Sequence, residues 1–329
     1  MSAAPPVHPA RPLSRAFVAD YVVTMRPYLL FVSGITGLVG LALGPSVRLA
    51  ETLALAVVFF LSYGFGQALT DCFQTDTDAL SSPYRPLVQG RLRRRDVLAV
   101  SLGGLLLGGA IAMRHQVLNV PLVLGIVAGL ATYTWFKRRW WAGPFWNAWI
   151  VAALMLVAWL AAVGAAGERP GWNAALTGAV TAVFFGYANF VLTGYYKDIS
   201  ADRATGYRTL PVVFGTRVSA RISDAFAILQ MAGLLLAWVA LAPAASPLAL
   251  ILGGLFLATG CGAVALGQLR LRQVTEATAH AAIAPVVHGY ILSLAGVAAL
   301  ARPAWASALA LFYAGYLIAL RRRPMPEQI

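Results

Sequence analysis

Long apolar runs separated by short polar segments dominate the pattern of this chain. Each run is close to the roughly 20 residues that a helix needs to cross a bilayer, so we predict a membrane-spanning helix in each. His288 interrupts the ninth run, and Arg302 with Pro303 separates it from the tenth, so the pattern predicts nine or ten crossings. The predicted helices span residues 25–45, 52–75, 97–114, 118–136, 145–165, 173–196, 219–241, 247–269, 281–300 and 303–320.

The composition also indicates a polytopic, all-α membrane protein. Of the 329 residues, 60% are hydrophobic and only 11% are charged, whereas soluble domains carry about 25% charged residues. The net charge of +13 does not indicate nucleic-acid binding, because the basic residues concentrate in the loops between the apolar runs. We therefore expect membrane lipid, and no nucleic acid, around this chain.

The distribution of basic residues predicts an orientation in the membrane. With ten crossings and a cytosolic N-terminus, only Arg48, Arg114, Arg169 and Arg302 of the 25 lysines and arginines lie outside. This asymmetry follows the positive-inside rule, so we predict that the N-terminus and both acid-rich stretches are cytosolic. The Ala- and Arg-rich composition favours a bacterial plasma membrane.

We predict one membrane domain with short flanking segments. Residues 1–20 contain four prolines and no apolar core, which is typical of a disordered cytosolic leader rather than a cleaved signal. Residues 21–321 hold all the apolar runs and form a single transmembrane domain. Residues 322–329 form a cytosolic tail.

The first acid-rich stretch, residues 67–90, ends the second apolar run. Helical spacing places Gln67, Asp71, Gln74 and Asp78 on one face. A carboxylate at membrane depth needs a cation or a hydrogen-bond partner. Two carboxylates and an amide oxygen suit a hard cation such as Mg²⁺, so Asp71, Gln74 and Asp78 are predicted metal ligands. The structural alternative is that these acids only cap helices or face the membrane interface.

The second acid-rich stretch, residues 195–215, ends the sixth apolar run. Asp198 and Asp202 are four residues apart and share a helical face, so both are also predicted metal ligands. Each stretch passes from an aspartate to a Tyr-Arg pair and a proline, and ends at a glycine. The two stretches lie four helices apart, which predicts two pseudo-repeated four-helix halves around a shared central cavity.

Basic and aromatic side chains beside the two stretches indicate diphosphate chemistry. Two acidic patches would hold two Mg²⁺ ions bridged by a diphosphate, and arginine or lysine would bind its oxygens. Tyr195 or Tyr196 would shield a carbocation through the face of its ring. The predicted catalytic residues are Asp71, Asp78, Asp198, Asp202, Tyr195 and Tyr196, and the predicted diphosphate contacts are Arg26, Arg85, Lys137, Arg138, Lys197 and Arg203.

These motifs resemble those of the UbiA superfamily of intramembrane prenyltransferases, and the match covers most of the chain. The second motif, with Asp198, Asp202 and Gly206 at intervals of four, is close to the family pattern. The first departs from Asn-Asp-x-x-Asp-x-x-x-Asp, since Thr70 stands at the asparagine position and Gln74 at the middle aspartate. The resemblance implies an all-helical fold, usually of nine membrane helices around a laterally open cavity.

The predicted function is Mg²⁺-dependent transfer of a prenyl group from a polyprenyl diphosphate to an aromatic or lipid acceptor. The alternative on the same scaffold is a terpene cyclase, which needs no acceptor, and the family's cyclases share an altered middle position in the first motif. An ion-coupled transporter is the third possibility. It fits less well, because the acids cluster at helix ends rather than at mid-membrane.

Overall fold

The computed structural model describes residues 9–323 and residue 325, and all regular structure within them is helical. Long apolar helices alternate with short polar turns, as the hydropathy pattern predicts. The helices are α1 (Arg15–Met25), α2 (Leu30–Leu43), α3 (Leu49–Asp71), α4 (Thr75–Ser81), α5 (Arg94–Met113), α6 (Asn119–Lys137), α7 (Gly143–Ala165), α8 (Ala174–Gly194), α9 (Ile199–Ala204), α10 (Leu210–Leu241), α11 (Pro247–Leu271), α12 (His280–Ala301) and α13 (Ala306–Arg321).

The number of membrane crossings agrees with the prediction of nine or ten. Within the described residues, nine helical segments are long and apolar enough to span a bilayer: α3, α5, α6, α7, the joined α8–α9, and α10 to α13. Helices α1 and α2 make a tenth candidate only together, because they are bent by 48°. The bend lies at Arg26, whose φ of 53° is left-handed, and Pro27 follows it. Neither residue continues a right-handed helix easily.

Two similar halves form the bundle, as the paired motifs predict. The first half is α2, α3, α5 and α6, and the second is α7, α8, α10 and α11. The second membrane helix of each half, α3 or α8, ends at an acidic motif and is followed by a short helix, α4 or α9. Helices α2 and α7 pack together between the halves, and α4 contacts α9. Both motifs therefore lie at the same end of the bundle.

Glycines bring the backbones of α8 and α10, and those of α11 and α12, close together. Gly178 of α8 faces Gly233 of α10 so closely that a Cβ atom on either would overlap the backbone of the other helix. Gly260 of α11 approaches the backbone of Ser293 of α12 in the same way. Small residues let membrane helices approach closely and gain dispersion contacts.

Hydrogen bonds between buried side chains also join α10 to α8 and α11, and α2 to α12. The Ser223 hydroxyl on α10 lies 2.5 Å from Asn189 Oδ1 on α8 and 2.8 Å from Gln268 Oε1 on α11. Thr36 of α2 and Tyr290 of α12 share a hydrogen bond of 2.8 Å. Such bonds between membrane helices are worth about 0.6–2 kcal/mol each, because the polar groups also find partners when the helices are apart in the membrane.

Three predicted boundaries differ from the structure. The second helix ends at Asp71 rather than at 75, and the predicted seventh, 219–241, extends back to Leu210 across a kink at Gly215, where φ is 75°. The leader predicted as disordered over 1–20 becomes helical at Arg15, and its first eight residues lie outside the described part. Of the predicted tail 322–329, only positions 322, 323 and 325 are described.

The Gly178–Gly233 contact can be tested by adding a side chain. Gly233→Val should lower the thermal unfolding temperature in detergent, since overpacking costs about 1–3 kcal/mol and the atoms to be displaced are backbone. Gly262→Val on α11 is the matched control, because nothing lies within 4 Å of a Cβ there. Equal unfolding temperatures for the two variants would contradict the close packing of α8 on α10.

Candidate active site

A cavity of about 1530 Å³, counted with its open mouth, lies among α2, α3, α5, α6, α7 and α8. It follows α3 from Asp71 to Val58. At 1.5 Å per residue, these thirteen steps correspond to a depth of roughly 20 Å. Charged and amide side chains line one end, whereas the far end, near Gly108, Val123 and Val157, is apolar. This arrangement suits a molecule that has a polar head at one end and a long hydrocarbon tail at the other.

The first motif reaches the cavity by a different route from the one predicted. Helix α3 ends at Asp71 and α4 begins at Thr75, so the four residues predicted on one helical stripe do not lie on one continuous helix. Gln67, Asp71, Gln74 and Asp78 nevertheless all line the cavity, because the chain turns back between the two helices. The prediction of a shared helical face was wrong, although the prediction of a shared site agrees with the cavity lining.

Asp71 is buried and bound by positively charged and amide groups. Arg26 Nη2 lies 3.0 Å from each of its carboxylate oxygens, and Gln67 Nε2 donates to Oδ1 at 2.6 Å. The left-handed conformation of Arg26 at the α1–α2 bend directs its side chain into this position. A buried carboxylate of this kind is stabilised only by such paired and hydrogen-bonded contacts.

Arg85 forms the second ion pair of the first motif. Its Nη1 contacts Asp78 and lies 3.7 Å from Asp71 Oδ1. Burial alone would lower the pKa of the Arg85 guanidinium, but Asp78, Asp71 and Asp198 together raise it above its ordinary value. Burial raises the pKa of the Asp78 carboxyl, and Arg85 opposes that shift. The guanidinium therefore remains a fixed positive charge at the polar end of the cavity.

Lys137, at the end of α6, joins the two motifs. Its Nζ donates to Gln74 Oε1 at 3.1 Å and lies 3.6 Å from Asp202 Oδ1. The ammonium also lies 5.5 Å from the ring centre of Tyr195 and 5.3 Å from that of Tyr207. These distances suit cation–π attraction. One cation thus contacts both acidic motifs.

A second layer of contacts outside the cavity fixes α4 against the chain around α9. The hydroxyls of Thr77 and Thr205 lie 2.7 Å apart. Asp76 accepts hydrogen bonds from Arg138 at 2.8 Å and from the Tyr207 hydroxyl at 3.2 Å. Asp76 is 42% exposed, so this ion pair contributes little by itself. The Thr77–Thr205 contact remains when this ion pair is removed, and it joins the two motifs outside the cavity.

The structure brings most of the predicted residues to one place and separates four of them from it. Asp202 is fully buried behind Lys137, and its Oδ2 accepts from Thr209 at 3.2 Å. Tyr196 faces away, with its hydroxyl donating to the Thr216 carbonyl at 2.6 Å. Arg138 and Arg203 do not line the cavity. The predicted residues that line it are Arg26, Asp71, Gln74, Asp78, Arg85, Lys137, Tyr195, Lys197 and Asp198.

Sequence reasoning missed the other aromatic residues of the cavity wall. Tyr63, Tyr133 and Tyr187 line the cavity together with Asn147. The Tyr133 and Tyr195 hydroxyls lie 3.1 Å apart. Spacing could have found Tyr133, because it lies one helical turn before Lys137 and shares its face. The same spacing marks Tyr63, which lies one helical turn before Gln67 and two turns before Asp71 on α3.

The second motif has the ligands that a hard divalent cation prefers. Asp198 lines the cavity, and Asp202 Oδ1 is buried without a hydrogen-bond donor in the described part of the chain. Mg²⁺ takes oxygen ligands, and an unsatisfied buried carboxylate oxygen is a suitable one. Among residues 9–323 and 325, however, no three Asp, Glu, His or Cys side chains already converge on one metal position. The second motif fits Mg²⁺ as a partial site that substrate oxygens would complete.

Comparison with known proteins agrees with this geometry. A sequence model of the UbiA prenyltransferase family matches residues 30–280. The digeranylgeranylglyceryl phosphate synthase of Pyrococcus abyssi is 29% identical over 217 residues, which are 65% of this chain and 76% of that protein. The enzyme of the same name from Halobacterium salinarum is 31% identical over 208 residues, 62% of this chain and 72% of that protein.

Solved structures share the fold. A UbiA homolog from Aeropyrum pernix K1 superposes with a TM-score of 0.62 at 20% identity, covering 88% of this chain and 96% of that one. A UbiA homolog from Archaeoglobus fulgidus bound to DMAPP and Mg²⁺ gives 0.58 at 17% identity, covering 83% and 99%. At these identities the likeness concerns the fold alone.

The two neighbouring tyrosines should behave differently when changed. Tyr196→Phe should leave turnover unchanged and cost about 1 kcal/mol of stability, because only its bond to the Thr216 carbonyl is lost. Tyr195→Leu should lower kcat by roughly tenfold or more, since it removes a ring from the cavity and from Lys137. Steady-state kinetics with thermal unfolding of both variants would check this. A larger loss of kcat in Tyr196→Phe than in Tyr195→Leu would show that Tyr196, rather than Tyr195, contributes to turnover.

Proposed function

The chain belongs to the UbiA prenyltransferase family, and from that premise we propose that it ionises a polyprenyl diphosphate with the help of Mg²⁺ and passes the prenyl group to a lipid alcohol. That it is a multi-pass membrane prenyltransferase follows from the family and the nine candidate spans of the described residues. The observation that carries the rest is the cavity, where four cations and three carboxylates line the polar end of an apolar space roughly 20 Å deep and Asp202 lies buried behind Lys137.

The positively charged side chains are the proposed diphosphate site. Arg26, Arg85, Lys137 and Lys197 all line the polar end of the cavity. Guanidinium groups bind phosphate oxygens through two parallel hydrogen bonds, and an ammonium adds a compact charge. Arg138 and Arg203, which the sequence also suggested, point outside the cavity and are not part of the proposed site. Fixed cations of this kind favour the charge that develops on a departing diphosphate.

Asp198 and Asp202 are the proposed Mg²⁺ ligands. When bound there, Mg²⁺ would neutralise negative charge on the diphosphate as the carbon–oxygen bond breaks. The Archaeoglobus fulgidus homolog bound to DMAPP and Mg²⁺ supports the use of this metal. The breaking bond leaves its electron pair on the diphosphate oxygen and a positive charge on the allylic carbon.

The aromatic side chains of the cavity wall would stabilise that positive charge. Tyr133, Tyr187 and Tyr195 lie between the charged end of the cavity and its apolar depth. Aromatic ring faces attract cations, and a dry wall keeps water from capturing the cation first. The acceptor hydroxyl oxygen would then bond to the allylic carbon, and its proton would pass to an oxygen of the departed diphosphate.

The acceptor we propose is a hydroxyl of a glyceryl phosphate lipid. Its support is the name shared by the relatives, digeranylgeranylglyceryl phosphate synthase, at 27–31% identity. The same relatives suggest a twenty-carbon prenyl donor. An aromatic acceptor remains the second candidate transferase substrate, and the observation that favours a cyclase instead is Gln74, which replaces an acid in the first motif.

One incubation separates the transferase from the cyclase. Purified protein with geranylgeranyl diphosphate and Mg²⁺ should release diphosphate only when geranylgeranylglyceryl phosphate is added, with formation of the digeranylgeranyl ether. Release without any acceptor, together with a cyclic hydrocarbon or alcohol, would establish the cyclase. An aromatic quinone precursor tested in parallel would identify the other acceptor class.

The metal assignment predicts a contrast between two aspartates. Asp198→Ala should abolish turnover at saturating Mg²⁺, because it removes a proposed ligand at the cavity. Asp76→Ala is the control, since Asp76 is 42% exposed and pairs with Arg138 outside the cavity. Its turnover should remain close to that of the unmodified enzyme. Near-normal activity of Asp198→Ala would remove Asp198 from the metal site.

The depth of the cavity predicts a limit on prenyl chain length. With carbon–carbon bonds of about 1.5 Å, an extended chain advances roughly 5 Å per five-carbon unit, so four units fill the cavity. Gly108 lines the far end, and a Cβ there would contact only Val58 within 4 Å. Gly108→Leu should therefore reduce turnover of the twenty-carbon diphosphate far more than of the ten-carbon one.

Gly103→Leu is the matched control for that variant. It adds the same side chain to α5 at an exposed position with nothing within 4 Å of its Cβ. Its chain-length preference should equal that of the unmodified enzyme when both diphosphates are assayed side by side. If Gly108→Leu also keeps the chain-length preference of the unmodified enzyme, the prenyl tail does not enter this end of the cavity.

A further inference from the structure

The departure of the first motif from the family pattern has a structural counterpart. Both of its carboxylates are ion-paired within the chain, Asp71 with Arg26 and Asp78 with Arg85. Gln74, which stands where the family has an acid, accepts a hydrogen bond from Lys137 at 3.1 Å. Asp71, Gln74 and Asp78 are therefore each in contact with a cation of the protein itself.

Lys137 occupies the position between the motifs where a metal ion bound to Gln74 would have to lie. Mg²⁺ binds oxygen at about 2.1 Å, so an ion on Gln74 Oε1 would be within roughly 5 Å of the Lys137 ammonium. The two positive charges would repel each other in a buried, poorly screened place, and the neutral amide of Gln74, unlike the carboxylate of Asp202, offers no negative charge to offset that repulsion. Asp202 Oδ1, 3.6 Å away on the other side, already offsets the lysine charge.

The charges at this end of the cavity balance without any metal. One more carboxylate, at position 74, would leave a net negative site that attracts an additional cation. The amide of Gln74 removes that negative charge. The balanced groups are the carboxylates of Asp71, Asp78, Asp198 and Asp202 and the cations Arg26, Arg85, Lys137 and Lys197.

We propose that Lys137, oriented by Gln74, is a built-in substitute for one Mg²⁺ ion, and that the enzyme binds a single Mg²⁺, at the second motif, together with its prenyl diphosphate. This rests on the proposed function. It replaces the prediction of two ions and reassigns Gln74, Asp71 and Asp78 from metal ligands to residues that position cations. Lys137 donates to the diphosphate and stays protonated, while the departing electron pair is neutralised by fixed charges.

The number of bound ions tests the proposal directly. Mn²⁺ would be titrated and counted by electron paramagnetic resonance in the presence of a non-hydrolysable prenyl thiolodiphosphate. The unmodified enzyme should bind one Mn²⁺ per chain. A second tightly bound Mn²⁺ would overturn the proposal and leave the proposed function intact. Absence of any binding of the analogue would instead contradict the proposed function.

Variants test whether lysine and metal are interchangeable. Lys137→Met should still bind one Mn²⁺ but weaken the analogue roughly tenfold or more, because a charge-assisted hydrogen bond is lost. Adding an acid, in Gln74→Asp with Lys137→Met, should recruit a second Mn²⁺ and restore most of the affinity. If this double variant still binds only one Mn²⁺, the proposal that Lys137 takes the place of a metal ion is wrong.

Two controls keep these counts specific. Lys137→Arg retains the positive charge and should keep one Mn²⁺. Gln89→Asp adds an acid at an exposed position outside the cavity and should leave both the count and the affinity unchanged. A second Mn²⁺ in Gln89→Asp would show that general negative charge, rather than position 74, recruits the ion, and this result would overturn the proposal. The ion count on the unmodified enzyme uses no variant. It can therefore contradict the proposal even if a variant fails to fold.

Discussion

Buried charge is the constraint on which the rest of this structure depends. Removing a carboxylate from water costs several kcal/mol unless a cation and hydrogen bonds replace the lost hydration. Asp71, Asp78 and Asp202 are each at most 4% exposed. Arg26, Arg85 and Lys137 lie against them. The same cations are the groups that a diphosphate would need, so the contacts that stabilise the buried carboxylates also position the cations for substrate.

The bundle is built asymmetrically around that site. Gly178 and Gly233 bring the backbones of α8 and α10 together, whereas the atoms nearest to Gly109 of α5 are side-chain atoms of Val123 on α6. The hollow lies in the first half and alongside α7 and α8. Both acidic motifs contribute to its charged end, because short helices after α3 and α8 fold the chain back over the bundle. A repeated architecture thus encloses a single, off-centre cavity.

Sequence reasoning found the architecture because membrane helices have a strong hydropathy signal, and it found most charged site residues because charges are scarce in this chain. It placed Gln67, Asp71, Gln74 and Asp78 on one helix, since no Gly or Pro between Asp71 and Thr75 marks the break. It could not separate Tyr195 from Tyr196, which differ only in the direction that a 3₁₀ turn gives them. It also could not foresee that Gln74 pairs with Lys137, a contact between residues 63 positions apart.

The central claim is that both motifs hold one diphosphate at the mouth of the α3 cavity. A structure of the protein with Mg²⁺ and a non-hydrolysable twenty-carbon prenyl diphosphate analogue, in lipid nanodiscs, tests it most directly. The account predicts diphosphate density in contact with Arg26, Arg85 and Lys137, and a tail that follows α3 to Val58. A diphosphate outside this cluster, or a tail lying among α10, α11 and α12, would contradict it.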